Sequence, residues 1–242
     1  MTVPGYEPVR VDAALDPGLS RWMWLVKWFL AIPHYVLLVF LYLGFVVVTV
    51  IAFFAILITG RYPRPLHDYS AGVLRWNWRV TYYVVAGTDR YPPFTLADVP
   101  DYPARFRVEY PERMSRGLVL VKWWLLALPH YLILGAISGS VVYASNANRS
   151  GEFESRTTGL GLLGLLVVFA FVALLFTGRY PPGIFGLVVG IYRWILRVQA
   201  YVALLTDRYP PFRLDQGGHD PASDDGPQPR VPPTTAAAMS RP

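Results

Sequence analysis

Two long stretches of this chain carry no charged interruption, and they set the first expectation. Residues 35–58 contain no Asp, Glu, Lys or Arg, and residues 159–176 (GLGLLGLLVVFAFVALLF) have the same character. A run of roughly 18 or more such residues predicts a segment able to cross a bilayer. A further apolar stretch, 118–142, is divided from 159–176 by the polar segment Ser145–Thr158 (SNANRSGEFESRTT). Residues 68–87 and 186–205 read differently, as helices with arginines on one stripe and aromatic and apolar residues around the rest. Two short alternating segments, residues 8–12 and 104–109, predict strands pairing with each other. From about Asp215 onward Gly, Pro, Asp, Ser and Ala dominate, which predicts a disordered tail over 215–242. Residues 1–20 are polar and lack a basic leader, so the first apolar segment is expected to stay in the mature chain.

The pattern occurs twice. Thr59-Gly60-Arg61-Tyr62-Pro63 recurs at 177–181, and an offset of 118 also aligns Arg75, Trp76, Arg79 and Tyr83 with Arg193, Trp194, Arg197 and Tyr201. The same offset carries Thr88–Phe94 (TDRYPPF) unchanged onto Thr206–Phe212. Upstream, Pro33-His34-Tyr35 matches Pro129-His130-Tyr131 at 96, Ser20-Arg21 matches Ser115-Arg116 at 95, and Leu-Val-Lys-Trp follows in each copy. The first membrane repeat therefore spans residues 8–96, a linker 97–103 and the second repeat 104–214. The second repeat carries about 22 extra residues between its Pro-His and Gly-Arg-Tyr-Pro motifs.

The motif set Arg…Val-Lys-Trp, Pro-His-Tyr, Gly-Arg-Tyr-Pro and Arg-Trp-x-x-Arg…Thr-Asp-Arg-Tyr-Pro-Pro-Phe resembles a domain-of-unknown-function family of actinobacterial membrane proteins, in which the unit often occurs twice. The resemblance covers nearly all of the chain outside the first residues and the tail. It implies a membrane location and a cell-envelope setting, and it supplies no catalytic residue.

The extra residues of repeat two suggest where each repeat turns. An insertion belongs at a connection between helices, so residues 22–58 are expected to form two helices that turn near Leu43-Gly44. Each arm would be short for a span, so the hairpin would be re-entrant or tilted. The rival reading makes 20–32 an interfacial helix and 35–58 one full span. The hairpin is preferred, because the rival leaves only about 14 apolar residues after Pro129 in repeat two. The expected fold is thus an all-α integral membrane protein of two tandem repeats. Each is a helical hairpin followed by an amphipathic interfacial helix, with short strands on the cytoplasmic face.

Charge fits that arrangement. The 242 residues hold 22 Lys and Arg against 16 Asp and Glu, with 54% hydrophobic residues. The mean hydropathy is +0.34 and the pI about 9.6. Under the hairpin reading nearly all the basic residues fall at one membrane face, which marks it as cytoplasmic together with both termini. The basic residues are spread among membrane anchors, so anionic lipid is the expected partner, with a partner membrane protein as a second expectation, and nucleic acid is not. No cysteine is present, which removes disulfides and Cys-based metal sites.

Candidate chemistry is sparse. No metalloprotease, phosphate-loop or nucleophile-elbow motif occurs, and no cofactor or metal is expected. Arg75, Arg79 and Tyr83, and likewise Arg193, Arg197 and Tyr201, lie at i, i+4 and i+8 and form one stripe per helix. They either anchor the helix at the headgroup boundary, bind a lipid phosphate through the guanidinium fork, or pair with Asp89 and Asp207. His34 and His130 are the histidines matched between repeats. Each sits after a proline, where an imidazole either satisfies freed backbone or carries proton, metal or catalytic work. The Gly-Arg-Tyr-Pro and Asp-Arg-Tyr-Pro-Pro-Phe segments read as helix stops with interfacial anchors. The function expected is that of a non-enzymatic envelope scaffold that contacts lipid. A lipid-modifying enzyme using the two histidines and a small pseudo-symmetric transporter are the rivals.

Overall fold

Proline and glycine fix the boundaries of the helices. A computed structural model describes residues 7–85, 87–139, 143–144, 155–156 and 161–215. Strand β1 is Val9–Ala13; α1 is Met23–Leu30, α2 Ile32–Thr59 and α3 Arg64–Val84. Repeat two runs β2 (Ala104–Val108), α4 (Arg116–Val121), a π-helical turn (Lys122–Leu126) and α5 (Leu128–Ser138). It continues with β3 (Tyr143–Ala144), β4 (Ser155–Arg156), α6 (Leu162–Thr177) and α7 (Pro182–Val202). Pro33 and Pro129 sit in the first turns of α2 and α5, where a missing donor costs least. Gly60 and Gly178 end α2 and α6 with φ of 70° and 68°, in the left-handed region that a side chain would strain. Thr59 and Thr177 back each stop identically, each hydroxyl donating to the carbonyl four residues earlier at 2.7 Å. The predicted tail beyond Asp215 and most of the Ser145–Thr158 loop lie outside the described residues.

The expected turn at Leu43-Gly44 is not there. Helix α2 runs unbroken for 28 residues, about 42 Å at 1.5 Å per residue. Residues 43–48 (LGFVVV) carry no polar side chain to satisfy the donors and acceptors that a turn there would free. Gly44 serves packing instead. A Cβ at that position would lie 2.4 Å from the Tyr69 hydroxyl oxygen, and that hydroxyl donates to Leu41 O at 2.9 Å.

The insertion in repeat two therefore interrupts a helix. Helix α5 matches the first 11 residues of α2 and α6 its last 16. Their surroundings match as well: His130 meets Trp194 and Phe212 as His34 meets Trp76 and Phe94. Ala170, Leu174 and Tyr180 are buried as Ala52, Ile56 and Tyr62 are. The two helix ends abut, since a Cβ on Gly161 would fall 2.1 Å from Gly139 N. In repeat two, α5 and α6 thus follow the path of the single helix α2, with the extra residues falling between Gly139 and Gly161.

A smaller irregularity has an equally local cause. The repeat offset grows from 95 at Lys27/Lys122 to 96 at Pro33/Pro129, one residue more in repeat two. The π-helical turn absorbs that residue. Ala127 N bonds Lys122 O, five residues back, where its counterpart Ala31 N bonds Lys27 O, four residues back.

The two repeats interlock within the compact body Pro8–Gln216. As the alternation predicts, β1 and β2 pair, antiparallel, with Val11 opposite Phe106. These two residues are themselves equivalent at the offset of 95, so a pseudo-twofold axis passes between them. Below the strands α3 and α7 form the buried middle, where the Trp78 ring lies 5.7 Å from Tyr192 and Tyr82 6.2 Å from Phe185. Helices α1, α2, α5 and α6 lie outside and carry most of the exposed large apolar side chains, with Trp123 and Trp124 on the π-helical turn. Three helical stretches, Met23–Thr59, Arg116–Ser138 and Pro182–Val202, are long and apolar enough to cross a membrane.

Candidate functional site

The residues that define the repeat converge on one cluster in each copy. In the first, the ammonium of Lys27, 1% exposed, donates to Thr88 O at 2.7 Å and pairs with Asp89 Oδ1 at 2.7 Å. The Tyr83 ring lies 5.1 Å from the same nitrogen, and Asp89 also accepts from Ser20 N at 2.6 Å. In the second, Lys122 contacts Thr206 O, Asp207 Oδ1 and the Tyr201 ring at 2.9, 2.9 and 5.2 Å, and Ser115 N donates to Asp207 at 2.6 Å. A buried ammonium is tolerated only with partners on every side, and each lysine has them.

The histidines close the other half of each cluster. Trp76 Nε1 donates to His34 Nδ1 at 3.0 Å, and the imidazole stacks on Phe94 with centroids 4.0 Å apart. Trp194, His130 and Phe212 repeat this at 3.1 and 4.3 Å. Because Nδ1 accepts the indole N–H hydrogen bond, each ring is neutral with its own proton on Nε2. Both rings are fully buried, and each fastens the Asp-Arg-Tyr-Pro-Pro-Phe segment to the start of its apolar helix.

The arginine stripes point inward. Arg75 donates from Nε to Phe106 O at 3.1 Å and from Nη1 to Leu96 O at 2.7 Å. Arg79, 1% exposed, donates to Thr95 O. Burial, and then the neighbouring Arg75 guanidinium, lower its pKa to about 10. Arg193 donates to Val11 O at 2.9 Å, and Arg197 to Arg213 O at 3.1 Å and Asp215 O at 2.6 Å. Each stripe thus holds backbone carbonyls of the returning segment, and Arg75 and Arg193 reach the strand of the other repeat. Gly72 and Gly190 permit the approach, since a Cβ on either would sit 2.8 Å from Leu96 Cβ or Leu214 Cβ. Asp89 and Asp207 take the lysines, not the stripe arginines. Tyr83 and Tyr201 lie under the ammonium groups, not at a lipid surface.

Lys27 and Lys122 were legible in the sequence only as members of the repeated Leu-Val-Lys-Trp phrase. The available signal was a lysine set inside an apolar run at the same place in both repeats.

A family model described as a domain of unknown function (DUF4389) matches residues 21–95 and 159–213. The chain belongs to the DUF4389 family. The first matched region carries the motif set whole; the second begins just before α6 and carries Gly-Arg-Tyr-Pro, Arg-Trp-x-x-Arg and Thr-Asp-Arg-Tyr-Pro-Pro-Phe, while Val-Lys-Trp and Pro-His-Tyr of repeat two precede it. No curated protein and no solved structure matches this DUF4389 chain. Among the described residues of this DUF4389 protein, no group of three or more His, Asp or Glu is placed to hold a metal ion.

Outside the two clusters, basic side chains gather at the ends of α2 and α6. Arg116 covers Gly60, its Nε 3.5 Å from where a Cβ would stand, and Arg21 covers Gly178 at 2.6 Å. Each helix end therefore lies beside an arginine of the opposite repeat. Thr59, Gly60, Arg61, Arg113, Met114 and Arg116 line a cavity of about 410 Å³ there.

Proposed function

We propose that this DUF4389 protein is a non-enzymatic integral membrane scaffold of the cell envelope that contacts anionic lipid. The carrying observation is where the repeated side chains go. The residues that define the repeat, including both lysines, both matched histidines and the stripe arginines, are turned inward to hold the chain together. The outer surface combines apolar helices with exposed arginines at the ends of α2 and α6. That combination suits a body seated in a bilayer with its basic rim at the headgroups.

The test is extraction followed by native mass spectrometry. The protein should stay in the membrane fraction after alkaline carbonate washing, and mildly solubilised protein should carry anionic phospholipid. Release by carbonate would overturn the membrane reading, and retention of zwitterionic lipid alone would overturn the anionic contact.

A further inference from the structure

We infer that the cavity at the end of α2 binds a phosphoryl group, either on a phospholipid or free in solution. The inference rests on the membrane-scaffold reading only for the lipid source; the chemistry comes from the cavity itself. Three arginines, Arg61, Arg113 and Arg116, line it and no carboxylate does. All three are exposed, and their guanidinium groups have no hydrogen-bond or ion-pair partner among the described residues. That contrasts with Arg75, Arg79, Arg90 and Arg105, whose guanidinium groups are all engaged.

The backbone holds the cavity in place. Met114 N donates to Gly60 O at 2.9 Å, which ties the segment bearing Arg113 and Arg116 to the helix end. Thr59 Oγ1 accepts from Arg61 N at 3.2 Å and sets the direction in which that side chain leaves. Three like charges held together without a counter-charge repel, and a planar guanidinium fork suits a phosphoryl oxygen pair.

Compensation of the α2 carbonyl terminus is the simpler role for such arginines. The second repeat shows how much that role needs. There Arg21 and Arg179 flank Gly178, but Gly18 stands where Arg113 stands in the first. The third arginine exceeds what the same helix stop uses elsewhere in the chain. The location also fits a headgroup. Phe54 and Ile58, 55% and 72% exposed, lead along α2 towards the cavity, so acyl chains could lie on the helix with the phosphate at its end.

The experiment uses the full-length protein in mild detergent, titrated with phosphatidylglycerol, phosphatidylcholine and inorganic phosphate in separate arms, with occupancy read by native mass spectrometry. Arg61→Gln with Arg113→Gln is compared with a charge-matched control on exposed sites, Arg107→Gln with Arg208→Gln. The cavity variant should lose about tenfold in apparent affinity for phosphatidylglycerol, while the control changes by less than about twofold. Competition by millimolar inorganic phosphate would show that the site takes the phosphoryl group from either source. Its absence would assign the site to the lipid. Equal losses in both variants would overturn the site, as would undiminished binding in the cavity variant; in that last case the scaffold reading survives if the wild type still carries anionic lipid. If the wild type carries no anionic lipid yet binds phosphate through Arg61 and Arg113, the site stands and the lipid contact falls.

Discussion

At the scale of single residues, each buried lysine depends on the partners that surround it. Asp89→Asn would remove the counter-charge of the Lys27 ammonium and leave it with neutral partners only, Thr88 O and the Tyr83 face among them. Removing one partner of a buried pair costs about 3–5 kcal/mol, so the thermal midpoint in detergent should fall steeply. Lys27→Met with Asp89→Asn should recover part of the loss, because no charge is then stranded; a double mutant no better than the single would deny the pairing. His67 gives the pH dependence. It is 2% exposed between the rings of Tyr62 and Tyr110, and burial lowers its pKa despite the opposing bond and charge of Asp68. The unfolded chain titrates near about 6.5, so it binds more protons than the folded chain just below that value. Stability from this group is therefore whole above about pH 6.5 and declines as the pH falls further. Phe185 occupies the equivalent place in repeat two, which makes His67→Phe the natural test. The variant should gain on the wild type from about pH 6.5 towards pH 5, in thermal midpoint, and a pH-independent difference would sink the account.

At the scale of elements, the two repeats show how one helix tolerates two kinds of insertion. A single extra residue is taken up as a π-helical turn, with Lys122 still reaching Asp207 and His130 still reaching Trp194. An insertion of about 22 residues falls between Gly139 and Gly161, whose backbones still lie side by side. The insertion should therefore be dispensable for folding. Deleting residues 140–161 together with Gly139→Leu would give a helix of the length of α2. Circular dichroism should show helical content per residue rising, with a thermal midpoint within a few degrees of the wild type. Loss of folded protein would mean that the insertion holds the two halves together.

At the scale of the molecule, the strand pair and the crossed arginine contacts make the two repeats one object. Arg75 bonds the strand of repeat two and Arg193 that of repeat one, while Arg116 and Arg21 each cover the other repeat's helix stop. Separate halves would expose those carbonyls and the Val11–Phe106 centre, so co-expressed halves should associate while either alone aggregates. The same contacts bring Arg61 and Arg179 to equivalent heights about the pseudo-axis. Single cysteines introduced as Arg61→Cys and Arg179→Cys should react with an impermeant reagent from the same side of the membrane. Labelling from opposite sides would replace the parallel arrangement with an inverted one.

The amino-acid sequence by itself determined the repeat, the apolar runs, the helix stops and the strand pairing. Each of these depends on residues close in sequence or on a spacing copied twice. Alternation in residues 8–12 and 104–109 was enough to foresee β1 and β2, because one buried face demands one register. The course of the apolar helices was not legible, since an uninterrupted apolar run has no local mark that distinguishes a turn from a continuation. Only the contact of Gly44 with Tyr69 and of Gly161 with Gly139 decided it. The arginine stripe was visible as a stripe, but its direction was not. An i, i+4, i+8 pattern names a face of a helix, and what lies opposite that face is set by segments 16 to 31 residues away for Arg75 and Arg79. The tertiary structure turned those guanidinium groups onto backbone carbonyls that the returning chain would otherwise have buried without donors.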